Sequence, residues 1–213
     1  MRQHLIIYAK RPLAGYAKSR LGAAIGGEAA AGIYARLLYT YLLSLVAASL
    51  PETTLELSVA DRQDCAYFDR AFPELIVRPQ VEGDLGTRMN ASFQQAFREG
   101  AEAVVLTGSD IPGMTIEIVR QAFALLRDPI ENDRAPGVVG PAADGGYYLV
   151  GMRAPGANIF EGIAWSTEAV LTQTEALATA KGVRLARLPQ LADIDLVEDY
   201  HAWLANLRNS IVT

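Results

Sequence analysis

Ala103-Val104-Val105-Leu106-Thr107-Gly108-Ser109-Asp110-Ile111-Pro112 is the stretch whose reading decides the fold. Within its first half, Val104, Val105 and Leu106 form a continuous apolar run without polar alternation, the pattern of a strand buried on both faces. A Gly-Ser-Asp loop with a proline turn follows. Thr115 then stands where it caps a helix running to about Leu126. A buried strand, a loop and a helix in that order form the repeating unit of a parallel α/β sheet.

The unit recurs on both sides. Leu5–Ala9 reads as a buried strand, followed by a loop rich in Pro, Gly and cations and a helix from about Glu28 to Ser49. Thr54–Ala60 is a strand, and Asp61 is placed to cap a helix through about Ala71. Leu75–Arg78 is a short strand, Gly83–Gly86 a loop, and Thr87–Arg98 a helix. Gly137–Gly140 and Gly146–Met152 are strands lying too close for a helical crossover, which predicts a local antiparallel excursion. Ser166 is placed to cap a helix to about Ala180. Arg184–Leu188 is a strand, and Val197–Leu207 closes the chain as a helix. The expectation is a three-layer α/β/α sandwich with a mostly parallel mixed sheet. With no linker, repeat or low-complexity stretch, it is read as a single domain over 1–213.

Composition agrees. The chain has 213 residues, 51% apolar and 20% charged, which excludes a disordered chain, a collagen-like repeat and a coiled-coil rod. The net charge of −5 excludes a polyanion binder acting through its overall charge, so nucleic acid is not an expected partner. A single cysteine, Cys65, excludes an internal disulfide and a cysteine-built zinc cluster, and fits a reducing, cytoplasmic address. Ala29–Leu50 has the length of a membrane span. Its polar stripe Arg36, Thr40, Ser44, opposite Ile33, Leu37, Leu38, Tyr41, Leu42 and Leu45, reads instead as a helix packed on a core. No membrane span is expected.

Charge is uneven. Residues 1–27 hold Arg2, Lys10, Arg11, Lys18 and Arg20 and no Asp or Glu, on an otherwise acidic chain. In open α/β sheets ligands bind beyond the carboxyl ends of the strands, so the loops after each strand are where chemistry is sought. Lys10 to Leu21 is a basic loop at such an end, suited to phosphate, or else a solvated edge. Neither the dinucleotide fingerprint nor the P-loop is present, so cationic side chains rather than a glycine cradle would hold the phosphate. Asp110 leaves its strand placed either for a hard cation such as Mg²⁺ or for an Asx turn. Asp144-Gly145-Gly146 presents a carboxylate at a bend where the backbone allows close approach of a ligand, or else a hairpin turn. Asp193 and Asp195 fall on one side of an extended segment, or belong to a helix start that favours acids. Gly83-Asp84-Leu85-Gly86-Thr87-Arg88 is either a ligand contact or a turn and cap. Trp165 opens a helix and is placed to line a pocket.

Together and in this order, the strings Gly83–Met89 (GDLGTRM), Gly108–Pro112 (GSDIP), Asp144–Gly151 (DGGYYLVG) and Asp193–Asp199 (DIDLVED) resemble the bacterial DUF2064 proteins. These are the transferase 1 group associated with radical-SAM and selenodomain proteins, and they have the GT-A, nucleotide-diphospho-sugar transferase fold. The resemblance runs nearly end to end. Lys18-Ser19-Arg20-Leu21 is similar to the KSRL of phospholactate guanylyltransferases, where the lysine contacts nucleotide phosphates. Asp144-Gly145-Gly146 resembles their DGGT, with Tyr147 in place of the threonine. Asp195 matches the metal-binding aspartate of several nucleotidyltransferases, with Leu196-Val197 replacing Thr-Pro. Ala9-Lys10-Arg11-Pro12 stands where molybdenum-cofactor guanylyltransferases carry a glycine-rich start.

The resulting expectation is a transferase dependent on Mg²⁺ or Mn²⁺, with a nucleotide-sugar donor and a small-molecule acceptor. The alternatives are a nucleotidyltransferase releasing pyrophosphate and a nucleotide-binding module without turnover. Asp144 and Lys18 are the candidate catalytic groups. Lys10, Arg11, Gly15, Lys18, Arg20, Asp84 and Arg88 are candidates for the nucleotide and its phosphates. Gly145, Gly146, Tyr147 and Trp165 are assigned to the substrate. Asp110 and Asp195, with Asp193 as the other choice of second ligand, are assigned to the metal, as a carboxylate pair under mutual repulsion until a cation arrives.

Overall fold

The computed structural model describes residues 1–127 and 135–211, with side chains through residue 205. Seven strands among them form one sheet: β1 (Gln3–Ala9), β2 (Thr53–Val59), β3 (Ile76–Pro79), β4 (Ala103–Thr107), β5 (Ala135–Pro141), β6 (Tyr147–Arg153) and β7 (Val183–Arg187). Their order is β3-β2-β1-β4-β6-β5-β7. β4 is thus central, flanked by β1 in parallel and by β6 antiparallel. β6 is also antiparallel to β5, as the closeness of the two strands predicts. All other pairings are parallel, so the sheet is mixed but mostly parallel.

The helices are α1 (Ser19–Ile25), α2 (Gly27–Ala47), α3 (Cys65–Ala71), α4 (Leu85–Arg98), α5 (Ile116–Leu125), α6 (Val170–Ala180) and α7 (Val197–Ile211). Strand alternation sends Leu5, Ile7, Leu57 and Val105 to one face, against Leu38 and Leu42 of α2, Phe68 of α3 and Phe123 of α5. Ile6, Val104, Val150 and Met152 face the other way, onto Met89 and Phe93 of α4 and Ala178 of α6. These two cores make the three layers. A third cluster joins Leu21 of α1 to Ile33 and Leu37 of α2 and to Val197, Tyr200 and Trp203 of α7. α2 is the one helix among the described residues long and apolar enough to cross a membrane, and it buries Tyr34, Leu38, Tyr41, Leu42 and Leu45.

Several boundaries differ from expectation. The segment read as loop before α2 contains α1, a seven-residue helix of mostly small residues whose anchor, Leu21, is fully buried. β1 starts earlier, at Gln3, because His4 finds a buried partner in Glu56 at 3.1 Å. Asp61 caps no helix with its side chain; it accepts a hydrogen bond from the Tyr16 hydroxyl at 3.0 Å. Ser166 does not cap α6, which begins at Val170, and instead sits in left-handed backbone at φ 63°. α4 begins two residues before Thr87, because Asp84 caps it by accepting from the Thr87 N–H at 2.8 Å. Thr115 caps α5 as expected.

Candidate functional site

β1 and β4 are neighbours, so the loops at their carboxyl ends converge. Between them lies a cavity of about 570 Å³, closed on its other sides by the start of β6, by α4 and by Asp195. Tyr34 holds the two loops in place from α2. Its buried hydroxyl accepts from the Lys10 backbone N–H at 3.0 Å and is hydrogen-bonded to Ser109 Oγ at 2.9 Å. Burial pushes the Tyr34 pKa up, so it remains a neutral tie.

The basic loop turns into this cavity at Lys18. Its backbone is left-handed at φ 52°, and α1 starts at the next residue. The turn sends the Lys18 side chain inward, where it is only 4% exposed. Lys18 Nζ donates to Asp110 Oδ2 at 2.6 Å and lies 4.0 Å from Asp195 Oδ1. Arg20 reaches the other oxygen of Asp195 at 2.9 Å. The expected repulsion between Asp110 and Asp195 therefore does not arise, because a tethered ammonium stands between them. Lys10, Lys18, Arg20 and Arg88 all line the cavity, four cations against those two carboxylates. Arg88 is steadied by Gln80, which accepts from it at 3.1 Å.

A second cavity of about 460 Å³ adjoins the first and shares Arg20, Asp110, Tyr147 and Tyr148 with it. Asp144 enters from the β5–β6 bend, where its Oδ1 accepts from the Gly146 N–H at 2.9 Å and so fixes the carboxylate. Asp193 lines the same space. Burial, together with Asp110, Asp144 and Asp195, raises its pKa against the opposing pull of Lys18. Trp165 and Tyr147 form an aromatic wall, meeting edge-on at 6.4 Å and 77°. Two glycines build this wall. A Cβ on Gly86 would lie 2.5 Å from the Phe160 carbonyl and 3.0 Å from the Trp165 ring. A Cβ on Gly145, where φ is +87°, would lie 2.4 Å from the Glu168 carbonyl, so this glycine seats the Ser166–Glu168 loop.

Several expected residues thus fall together. Lys10, Lys18, Arg20, Arg88, Tyr147, Asp110 and Asp195 line the first cavity; Asp144, Gly146, Tyr147 and Trp165 line the second. Others stand apart. Arg11 does not line either cavity: it stacks on Tyr67 at 4.6 Å and pairs with Asp64 at 3.5 Å. Gly15 is absent from both linings, Asp84 serves as a helix cap, and Gly145 packs against backbone rather than against a ligand space. Tyr34, Gln80 and Glu168 were missed. Tyr34 had one usable signal, a phenolic hydroxyl on the apolar face of a core helix, where it must find a partner.

Asp110 and Asp195 offer hard oxygen donors, each about one-third exposed toward the cavity (36% and 35%), a set that fits Mg²⁺ or Mn²⁺. Among the described residues no three His, Cys, Asp or Glu side chains gather into a cage. The pair would fit an ion completed by substrate phosphate and water only with the Lys18 ammonium, now between the two carboxylates, moved off them.

A family model described as "Uncharacterized protein conserved in bacteria (DUF2064)" matches residues 43–167. No functionally curated protein matches the sequence. Among solved structures, a protein of Desulfovibrio desulfuricans G20, provisionally described as a nucleotide-diphospho-sugar transferase, is 31% identical with a TM-score of 0.83. The match covers 93% of this chain and 84% of that one. A CMP:2-keto-3-deoxy-manno-octonic acid synthetase complexed with CTP is 11% identical (TM-score 0.59), covering 99% of this chain and 100% of that one. The mannosyltransferase PcManGT from Pyrobaculum calidifontis, in complex with GDP-Man and Mn²⁺, is 13% identical (TM-score 0.57), covering 95% and 59%. At such identities the last two show the fold alone, and a fold does not choose a reaction.

Proposed function

This chain belongs to the DUF2064 family, and on that premise we propose that it is a transferase acting on a nucleotide-sugar, with glycosyl transfer to a small acceptor as its reaction. One observation carries the reading: a cavity with four cations at the carboxyl ends of β1 and β4 opens directly into a second cavity that holds a fixed carboxylate, Asp144.

The diphosphate of the donor lies against Lys18 and Arg20, with Arg88 and Lys10 across the cavity. Charge-assisted hydrogen bonds from these groups orient the donor and meet the charge that grows on the departing diphosphate. Asp110 and Asp195 are the residues to hold Mg²⁺ or Mn²⁺ when bound, and such an ion supplies further neutralisation of phosphate charge. The acceptor hydroxyl loses its proton to Asp144 as its oxygen bonds to the anomeric carbon. The bond from that carbon to the phosphate oxygen breaks, and the nucleoside diphosphate leaves with the electron pair. Oδ1 of Asp144 is occupied by the Gly146 N–H, so Oδ2 is the oxygen free to take the proton.

The four cations also suit a triphosphate, which supports nucleotidyl transfer as the second reading. Incubation with nucleotide-sugars, followed by assay for released nucleoside diphosphate, tests the first. Incubation with nucleoside triphosphates and sugar phosphates, followed by assay for pyrophosphate, tests the second. Nucleotide binding with neither product would make the chain a binding module.

A further inference from the structure

The two cavities carry opposite charge, and that difference bears on what each accepts. The described lining of the second holds Asp110, Asp144, Glu168 and Asp193 against a single cation, Arg20. Arg20 is already engaged by Asp195 on the side of the first cavity. The same cavity is lined by the Trp165–Tyr147 pair, with Leu85, Ile111 and Val170 supplying apolar surface. An aromatic face beside convergent hydrogen-bond acceptors suits a ring that shows C–H groups on one side and hydroxyls on its edge. Asp110 is paired with Lys18 as Arg20 is with Asp195, so a phosphate or carboxylate placed there would meet three further acids, Asp144, Glu168 and Asp193.

We propose that the second cavity is the acceptor subsite and that it selects a polyhydroxylated acceptor bearing no anionic group, a neutral or amine-bearing sugar or polyol. This rests on the transferase reading and narrows it. Hydroxyls donate to Asp144, Asp193 and Glu168, while the ring lies against Trp165. Phosphorylated acceptors, which nucleotidyl transfer to a nucleoside-diphosphate-linked product requires, are repelled.

The test uses the full chain, with Mn²⁺ and a nucleoside diphosphate present, and follows the indole N–H resonances. Trp165 and Trp203 are the two tryptophans, and Trp203→Phe assigns the Trp165 signal. Glucose, mannose, glucosamine and myo-inositol are titrated against glucose 1-phosphate, mannose 1-phosphate and inositol 1-phosphate. At least one neutral or amine-bearing probe is expected to shift the Trp165 signal. Its phosphate should bind at least about tenfold more weakly, the scale of several like charges acting across a screened cavity. Glu168→Lys should narrow that ratio. A phosphate binding as tightly as its parent, or no probe moving Trp165, overturns the proposal. The transferase reading is scored separately by nucleoside diphosphate binding to the same protein. Its loss, with the Trp165 ranking intact, removes the donor cavity's role and leaves the polyol site standing.

Discussion

Removing the ammonium of Lys18 should have opposite effects on two ligands and a graded effect on stability. Lys18 is 4% exposed and bonded to Asp110 at 2.6 Å. Although Lys18 lies in a loop, its side chain is buried, so removing it carries a stability cost. Breaking a fully buried ion pair costs about 3–5 kcal/mol because the remaining charge is stranded. Here Asp110 and Asp195 are 36% and 35% exposed and can take up water, and Arg20 stays on Asp195. The loss in Lys18→Ala is therefore nearer that of one hydrogen bond to a charged group, about 1.5–3 kcal/mol. For a chain of this size that lowers Tm by about 4–10 °C. The backbone at Lys18 is left-handed at φ 52°, so Lys18→Gly removes the same ammonium but relieves about 1 kcal/mol of conformational cost. Urea unfolding of the three proteins should thus rank wild type above Lys18→Gly above Lys18→Ala. In calorimetry, nucleoside diphosphate affinity falls in both variants by about 1.5–3 kcal/mol. Mn²⁺ affinity without nucleotide should rise, by about tenfold, because the tethered cation no longer occupies the carboxylate pair. Wild-type stability in Lys18→Ala, or Mn²⁺ and nucleotide affinities falling together, would refute the picture of Lys18 as a resident counter-ion.

Asp144→Asn should lower kcat by about 10²–10⁴-fold while leaving donor affinity near wild type, since a base acts mainly in the transition state; steady-state kinetics with a donor binding isotherm checks this. Gly86→Ala forces a methyl into the Phe160 carbonyl and the Trp165 ring, and should cost about 1–3 kcal/mol in denaturant unfolding while shifting Trp165 fluorescence. Tyr34→Phe leaves the Lys10 N–H and Ser109 without their hydroxyl partner, so it should lose about 1–3 kcal/mol and weaken nucleotide binding without altering the cavity's charge. The Arg78 hydrogen bond at 2.7 Å holds the Glu99 pKa below its ordinary 4.5. The stability this pair contributes is present above pH 4.5 and is lost as pH falls through the lowered value. Acid unfolding of Glu99→Gln should therefore converge with wild type below that range and lie beneath it above.

What the sequence by itself determined is what local pattern encodes. Ala103–Leu106 is apolar throughout, so it had to be an interior strand, and Asp110 had to emerge beyond its carboxyl end. The short spacing around Asp144-Gly145-Gly146 forced β5 and β6 to run antiparallel, and the four-residue stripe on α2 set which side meets the core. Tertiary structure alone decided which charges meet. Lys10, Arg11, Lys18 and Arg20 look equivalent along the chain, yet Arg11 leaves to stack on Tyr67 while Lys18 turns inward. The partners of Lys18 lie 92 residues away at Asp110 and farther still at Asp195, and no spacing rule connects them. They meet because the strand order seats β1 beside β4 and because α7 packs on α1 and α2, bringing Asp195 back over the sheet edge. Periodicity records how a segment shares its own surface between core and water. Electrostatic pairing depends on distance in space, which only the packed sheet and its helices define.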